Sequence, residues 1–585
     1  MKKKLLITLL IAIFALSLLA GCGGSSSSGG SSSSEPAEEP AEEPAEEPAE
    51  EPAAEPAAEP AATGDVLDDG FPANVLRVTY TAEPESADAA RTTADYILMM
   101  NCGDTLLRTE QNEKGENVNV EALAESYSIS EDGLTYSFTL REGVKFHNGE
   151  VLESDDVLYT VDRMLDPARA SRNSEWMDMI KGAQDVLDGK AESVKDVGII
   201  IKDERNFDII LEQAYAPFLA SITTPAWTIV NREAGERADE AGGGPETSYF
   251  GSDPEYFTGC GPFILKEWVL NDHVYMETNP DYYRGASKLD GILLKIVGDA
   301  ETEKMMFDSG LIDIFDLDHA MDQIPNYMAT MPDNIITKQV LGTSYLSINE
   351  RIEPFQDVRV RKALQMAIDR QLICDTMYYG AAAVPAYGFY AEGLPGYDPD
   401  MEPIPYDPEG AKALLAEAGY PDGFDMEIAE SSTSPDDLAI NEVIANMFGA
   451  IGINCTINQM DSASWYSIRS EGDLPMYRTS WTADFNDPDN FIYVMYNPSG
   501  NVSRSWNYQN QEAIDRIVAA RYMTDPEARV QEYSDLEKLV IREDCAMIPL
   551  WHKVKIRVVQ DRVKGFVPMW AGYGDCCFYG TYLEG

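Results

Sequence analysis

Histidine is nearly absent from this chain: four residues in 585, at positions 147, 273, 319 and 552. They are dispersed, and no Cys-x-x-Cys pair or Cys/His spacing of the zinc kind accompanies them, so no metal site is assigned. Catalytic signatures are missing too. There is no Gly-x-Ser-x-Gly, no phosphate loop, no His-Glu-x-x-His and no catalytic Cys/His pattern, so no enzyme and no cofactor is expected. Positive charge is scarce: 44 Lys and Arg stand against 101 Asp and Glu, for a net charge of -57. Three leading lysines carry +3 and eleven glutamates between Glu35 and Glu59 carry -11, which leaves -49 on the rest. A body of that sign excludes nucleic acid as a partner.

Only one long apolar run exists, Leu5 to Leu19, shorter than the roughly 18 residues a spanning helix needs. Lys2, Lys3 and Lys4 precede it and Leu19-Ala20-Gly21-Cys22 follows, the layout of a secretion signal. It resembles a lipoprotein signal, in which Cys22 is lipidated and becomes the first residue; an ordinary signal with a chance cysteine is the alternative. Two acyl chains suffice for stable anchoring. Residues 23–73 then read as a Gly/Ser and Glu/Pro/Ala spacer that buries too little apolar surface to fold. As polyproline, Glu35 to Ala62 spans about 85 Å. Either it lets a tethered domain search near a membrane partner, or it is a solubilising tail. The expected location is the outer face of a cell membrane, which is periplasmic where the cell has two membranes.

Apart from Cys22, seven cysteines remain: 102, 260, 374, 455, 545, 576 and 577. Seven is odd, so one thiol stays free unless chains pair. Export permits disulfides, and Cys102 with Cys260 is the expected pair; a reducing habitat would leave all of them as thiols.

The roughly 520 residues after the spacer exceed one ordinary core, so two or three domains are expected, and alternating strand and helix patterns indicate α/β layers. Thr135 to Phe146 alternates, with Tyr136, Phe138 and Leu140 on one face, and turns follow at Glu142-Gly143 and Asn148-Gly149. A helix capped by Ser154 is expected next, with Val157, Val161, Met164 and Leu165 inward. Asp357 to Ile373 reads as one amphipathic helix, with Val360, Leu364, Ala367 and Ile368 on its apolar face and Arg359, Arg361 and Arg370 projecting elsewhere. Asp407 and Pro408 open another helix, Leu414 and Leu415 form its apolar face, and Gly419 and Pro421 close it.

Ordered blocks along the body resemble the family 5 extracellular solute-binding proteins, the dipeptide, oligopeptide and nickel-type receptors of ABC importers. They run from Gly133-Leu134-Thr135-Tyr136 through Leu140-Arg141, Val144 to Gly149 and Asp155-Asp156-Val157 to Tyr159. Gly259-Cys260-Gly261-Pro262-Phe263 matches a Gly-Thr-Gly-Pro-aromatic turn with cysteine for threonine. Asn279 to Tyr283, Gly310 to Asp313, Asp357 to Ala363 and Tyr406-Asp407-Pro408 also fit. The resemblance implies an α/β, two-lobed periplasmic-binding-protein type II-like fold with an additional third domain. Lobe I would comprise residues 74–108, 226–338 and 553–585, the added domain 109–225, and lobe II 339–552. The implied partners are a small peptide or other small solute and the permease subunits of the transporter, with a monomeric receptor touching the membrane through its lipid alone.

The best site candidate is Arg478 to Pro488. Arg478, Trp481 and Asp484 match an Arg-x-x-Trp-x-Ala-Asp pattern of oligopeptide receptors. Asp484 is expected to meet a peptide's α-ammonium. Ser480 and Thr482 would offer backbone to an extended peptide, Trp481 would floor a side-chain pocket, and Arg478 would meet a C-terminal carboxylate. A second strip, Thr79 to Ser86, is expected to line the opposite side of the ligand; Glu83 fits, whereas Pro84 has no N–H to give. Asn101, Tyr378 and Tyr379 are further cleft candidates. Competing readings are a nickel chelate, an opine or an oligosaccharide as the solute, a sensory rather than a transport role, and a surface hydrolase.

Overall fold

The computed structural model describes residues 69–93, 95–112, 117–572, 575 and 577–584. The leader, Cys22, nearly all of the spacer and Cys576 lie outside the described residues. Among the described residues no helix is long and apolar enough to cross a membrane.

Three larger sheets organise the chain. In the first, Val75–Tyr80 pairs in parallel with Gly291–Ile296, and His273–Thr278 and Phe263–Val269 continue it antiparallel. The second is antiparallel, in the order Ala124–Ile129, Thr135–Leu140, Asn206–Ile210, Ile199–Ile201. The third is built on the long strand Met547–Val559. Ile314–Asp316, Ile335–Gln339, Ala383–Pro385 and Gly342–Ser347 all pair with it, and Arg478–Thr482 closes the order beyond Gly342–Ser347. That strand is buried at every position but Lys553, and near-continuous burial of this kind suits a strand covered on both faces. A smaller parallel pair joins Asp425–Glu430 to Asn454–Gln459.

Local chemistry explains several elements. Tyr136, Phe138 and Leu140 are buried on one face of their strand, as the alternation requires. Gly143 and Gly149 take the left-handed conformation at their turns. Asp407 accepts from Gly410 N at 2.8 Å, Pro408 opens its helix, and Gly419 at φ +99° ends it. The Ser154–Leu165 helix begins differently from expectation. Glu153, not Ser154, is its cap, because Glu153 N donates to Asp156 Oδ2 at 3.0 Å in a reciprocal box while Ser154 Oγ donates to the Asp203 carbonyl.

The expected helix over Asp357 to Ile373 is two helices, Val358–Met366 and Arg370–Met377. Asp369 starts the second by accepting from Leu372 N at 2.9 Å. Two arginines expected outside are buried: Arg361 is 5% exposed and Arg370 3%. Arg361 Nε donates to Asp544 O at 2.8 Å and Arg370 Nε to Pro549 O at 2.7 Å, so both guanidiniums are held by backbone carbonyls remote in sequence. Arg359 stays outside on Asp357.

The expected Cys102–Cys260 pair is also corrected: both are buried free thiols. Their backbones touch, with Gly261 N donating to Cys102 O at 2.9 Å, but the side chains enter different apolar clusters, Cys102 beside Leu76 and Phe263, Cys260 beside Leu106 and Trp227.

One buried ion pair ties the strip after Val75–Tyr80 to the Ser154–Leu165 helix. Arg163 meets both oxygens of Asp88 at 2.6 Å, with neither residue more than 4% exposed. Removing one partner leaves a buried charge alone. Arg163→Met is therefore expected to cost about 3–5 kcal/mol in urea unfolding, far more than loss of an exposed pair such as Arg172–Glu85.

Candidate functional site

The Arg478–Thr482 strand is an edge, and its register decides which backbone groups are free. Ala483 N donates to Leu341 O at 2.7 Å, and the antiparallel pairing sets Thr482 against Gly342 and Ser480 against Ser344. Bonded positions alternate in such a pair, so 479, 481 and 483 face the neighbouring strand while Ser480 and Thr482 turn N–H and C=O outward. Apart from the parallel Ala429–Tyr477 bridge just before its start, no strand pairs with that outer edge among the described residues. Ser480 is exposed and Thr482 partly so. Gly342 permits the close approach: a Cβ there would sit 2.6 Å from Thr482 Oγ1 and 3.0 Å from Trp481 O.

Asp484 follows directly, in a loop stiffened by Asn490. Asn490 Oδ1 accepts from Asp484 N at 2.9 Å, Asn490 Nδ2 donates to Asp484 Oδ2 at 3.0 Å, and Asn490 O accepts from Trp481 Nε1 at 2.6 Å. The loop is anchored beneath by Arg529, which meets both oxygens of Asp487 at 2.7 and 2.9 Å, and by Tyr533, whose hydroxyl donates to Asp489 at 2.8 Å.

Trp481 and Asp484 line a cavity of about 460 Å³. Its far wall comes from distant sequence: Glu175, Trp176 and Tyr215. Trp176 meets the Phe485 ring edge-on at 5.8 Å, and the Arg521 guanidinium lies between Tyr493 and Tyr215, 4.0 and 4.6 Å from their centroids. Arg504 stands over Trp481 at 4.9 Å. Both arginines are thus held against rings. Asp484 Oδ1 has no donor among the described residues. Burial pushes the Asp484 carboxyl up to about 6; the Asn490 hydrogen bond opposes this and Glu175 adds to it. The site therefore holds a carboxylate poised for a cation, beside an unpaired strand edge.

The other sequence candidates fall elsewhere. Arg478 is already committed: Nε donates to Asn441 Oδ1 at 2.9 Å, Nη2 bonds Asp437, and the guanidinium stands 5.9 Å from the Trp551 ring centroid. Glu83 accepts from Trp268 Nε1 and, at 2.7 Å, from Asn271 N, which ties it to the Phe263–Val269 and His273–Thr278 hairpin; it does not line the Asp484 cavity. Asn101 is buried, accepting from Phe578 N at 3.2 Å. Tyr378 packs on Trp551 at 5.0 Å, and Tyr379 is exposed. Glu175, Tyr215, Arg504 and Arg521 carried no local signal. Asn490 had one, since it belongs to the same Asp-Pro-Asp-Asn turn.

With this geometry in place, comparison with known proteins is decisive. The profile of the bacterial extracellular solute-binding proteins, family 5 (Middle), matches residues 119–503. This chain belongs to that family. Heme-binding protein A of Haemophilus influenzae is 30% identical over 82% of this chain and 86% of its own length. Di/tripeptide-binding protein 2 of Pseudomonas aeruginosa is 29% identical over 84% of this chain and 92% of its own. The solved structure of HbpA2 from Haemophilus parasuis superposes with a TM-score of 0.75 at 25% identity, covering 87% of this chain and all of that one. The expected α/β fold, two-lobed with an additional domain, is the fold shown. These relatives are solute-binding proteins rather than enzymes, and the family is extracellular.

Adding the missing methyl at Gly342 would push Thr482 from its register. Gly342→Ala is expected to lose about 1–3 kcal/mol in chemical unfolding, whereas the same change at Gly449, where nothing lies near the new atom, is expected to leave stability unchanged or raised.

Proposed function

We propose that this family 5 protein is a lipid-anchored extracellular receptor of an ABC importer that captures short peptides and delivers them, unchanged, to the permease. The observation that carries the reading is the Asp484 carboxylate, with Oδ1 open to a cavity and an unpaired strand edge beginning two residues away. A peptide supplies what each lacks. Its α-ammonium donates to Oδ1, a charge-assisted bond. Its extended backbone pairs with Ser480 and Thr482 by strand addition, and a side chain rests on Trp481. The P. aeruginosa relative, named for di- and tripeptides, supports this class of ligand. In this reading residues 74–108, 226–338 and 553–585 form lobe I, 339–552 lobe II and 109–225 the added domain, and the lobes close on the ligand as a hinge. Arg478, spent on Asp437, is a poorer carboxylate partner than the motif implies. Glu83 acts by shaping the first sheet.

Calorimetry or native mass spectrometry against a mixed peptide library tests the proposal, with free metals, sugars and heme as controls. Short peptides are expected to bind. Asp484→Ala and N-acetylation of the peptide should each cost about 2–5 kcal/mol, roughly 30-fold to several thousandfold. Equal binding by wild type and Asp484→Ala would remove the assigned role, and recovery of cleaved peptide would point to a hydrolase instead.

The ammonium binds the ionised carboxylate, so affinity should be full between pH about 6 and the peptide ammonium's own pKa of about 8, and fall roughly tenfold per unit below pH about 6. The same raised pKa makes Asp484 a cost to the empty protein as pH rises through about 6, so the stabilisation given by peptide should grow from pH 5 to 7.5. Thermal unfolding with and without peptide measures it, and Asp484→Asn should flatten the dependence.

A further inference from the structure

A second cavity, of about 500 Å³, shares no residue with the Asp484 cavity; Gln339, Pro385, Tyr387, Tyr390, Met401 and His552 are among those that wall it. His552 is 7% exposed, yet it lines this space. Its Nδ1 lies 2.9 Å from Thr343 Oγ1 and 3.2 Å from Gly342 O. The Thr343 hydroxyl already gives its proton to Phe389 O at 2.8 Å, and a carbonyl can only accept. Nδ1 must therefore carry the ring proton. Nε2, across the ring, keeps a bare lone pair with no donor among the described residues.

The rim has the same character. The carboxylates of Glu392, Asp400 and Glu402 form no ion pair among the described residues, whereas Asp398 is matched by Lys538 at 2.8 Å. Arg542 borders the wall, and its Nη1 donates to the carbonyls of Tyr387 and Glu402, at 3.1 and 2.6 Å. Beneath Gly388, Glu537 accepts from Phe389 N and Tyr390 N at 2.6 and 2.7 Å, and its Oε2 is enclosed without a partner among the described residues. The cavity thus presents acceptors and tyrosine faces, and no Lys or Arg is among the residues that line it. Among the described residues no group of three or more metal-ligating side chains is close enough to hold an ion, which disfavours a metal.

We propose that this cavity is a second ligand site that binds a primary alkylammonium. The ammonium donates to His552 Nε2, the rim carboxylates balance its charge, and its alkyl body lies on Pro385, Met401 and the tyrosine rings.

Cadaverine titrated into the full chain by calorimetry tests this. Wild type and Asp484→Asn should bind one equivalent with equal affinity. His552→Phe, and separately the exposed Glu402→Gln, should weaken binding, the former about tenfold or more. Peptide binding retained by both variants shows that they are folded. Loss of cadaverine binding in Asp484→Asn but not in His552→Phe or Glu402→Gln would place the amine in the peptide cavity and overturn the proposal. So would the absence of saturable binding, or His552-dependent binding of nickel or zinc with none of cadaverine.

Discussion

A carboxylate taken out of water must be met by donors or give up its charge. Asp484 is met on one side only. Asn490 holds Oδ2 and the Asp484 backbone, and the cavity offers Oδ1 nothing. Arg504 and Arg521 are near enough to temper the site but are held on Trp481, Tyr215 and Tyr493. The loop cannot relax to bury the charge elsewhere, because the Arg529–Asp487 pair and the Tyr533–Asp489 bond fix it below. In the proposed reading a ligand's ammonium supplies that counterpart, so binding energy arises where the empty protein is least satisfied.

The same logic extends to the backbone. An edge strand left unpaired is a liability that folds normally cover. Here the outward N–H and C=O of Ser480 and Thr482 stay open among the described residues, beside segment 570–572, whose Gly572 N bonds Ala483 O at 3.2 Å. Under the proposed function, charge at one end and an open ladder beside it would together read a peptide's terminus and direction, while leaving its side chains largely unspecified. The arginine next to this edge is neutralised by Asp437, so in the proposed reading recognition rests on the ammonium end.

Much of this was legible in the residues, for identifiable reasons. Alternation marked Thr135–Leu140 because that strand is half-buried, and Asp407, Pro408 and Gly419 punctuated their helix because capping is local chemistry. Trp481 and Asp484 do share a cavity, within a block of seven residues that also carries the open edge. Long-range contacts were not legible. The burial of Arg361 and Arg370 depends on carbonyls at 544 and 549, while the break at Ala367–Asp369 is fixed by the local Asp369 cap. Glu175, Tyr215 and Arg521 meet across more than three hundred residues of chain, and nothing local marks them. Arg478 and Glu83 fitted a motif, but their partners, Asp437 and the Trp268 hairpin, are set by tertiary packing.

The most direct measurement is a crystal structure of the protein grown with a bound dipeptide or tripeptide. The account requires the ligand's terminal nitrogen within hydrogen-bonding distance of Asp484 Oδ1 and its main chain paired with Ser480 and Thr482. A ligand seated elsewhere, or one whose terminal nitrogen points into solvent with Asp484 Oδ1 still unpartnered, would contradict it.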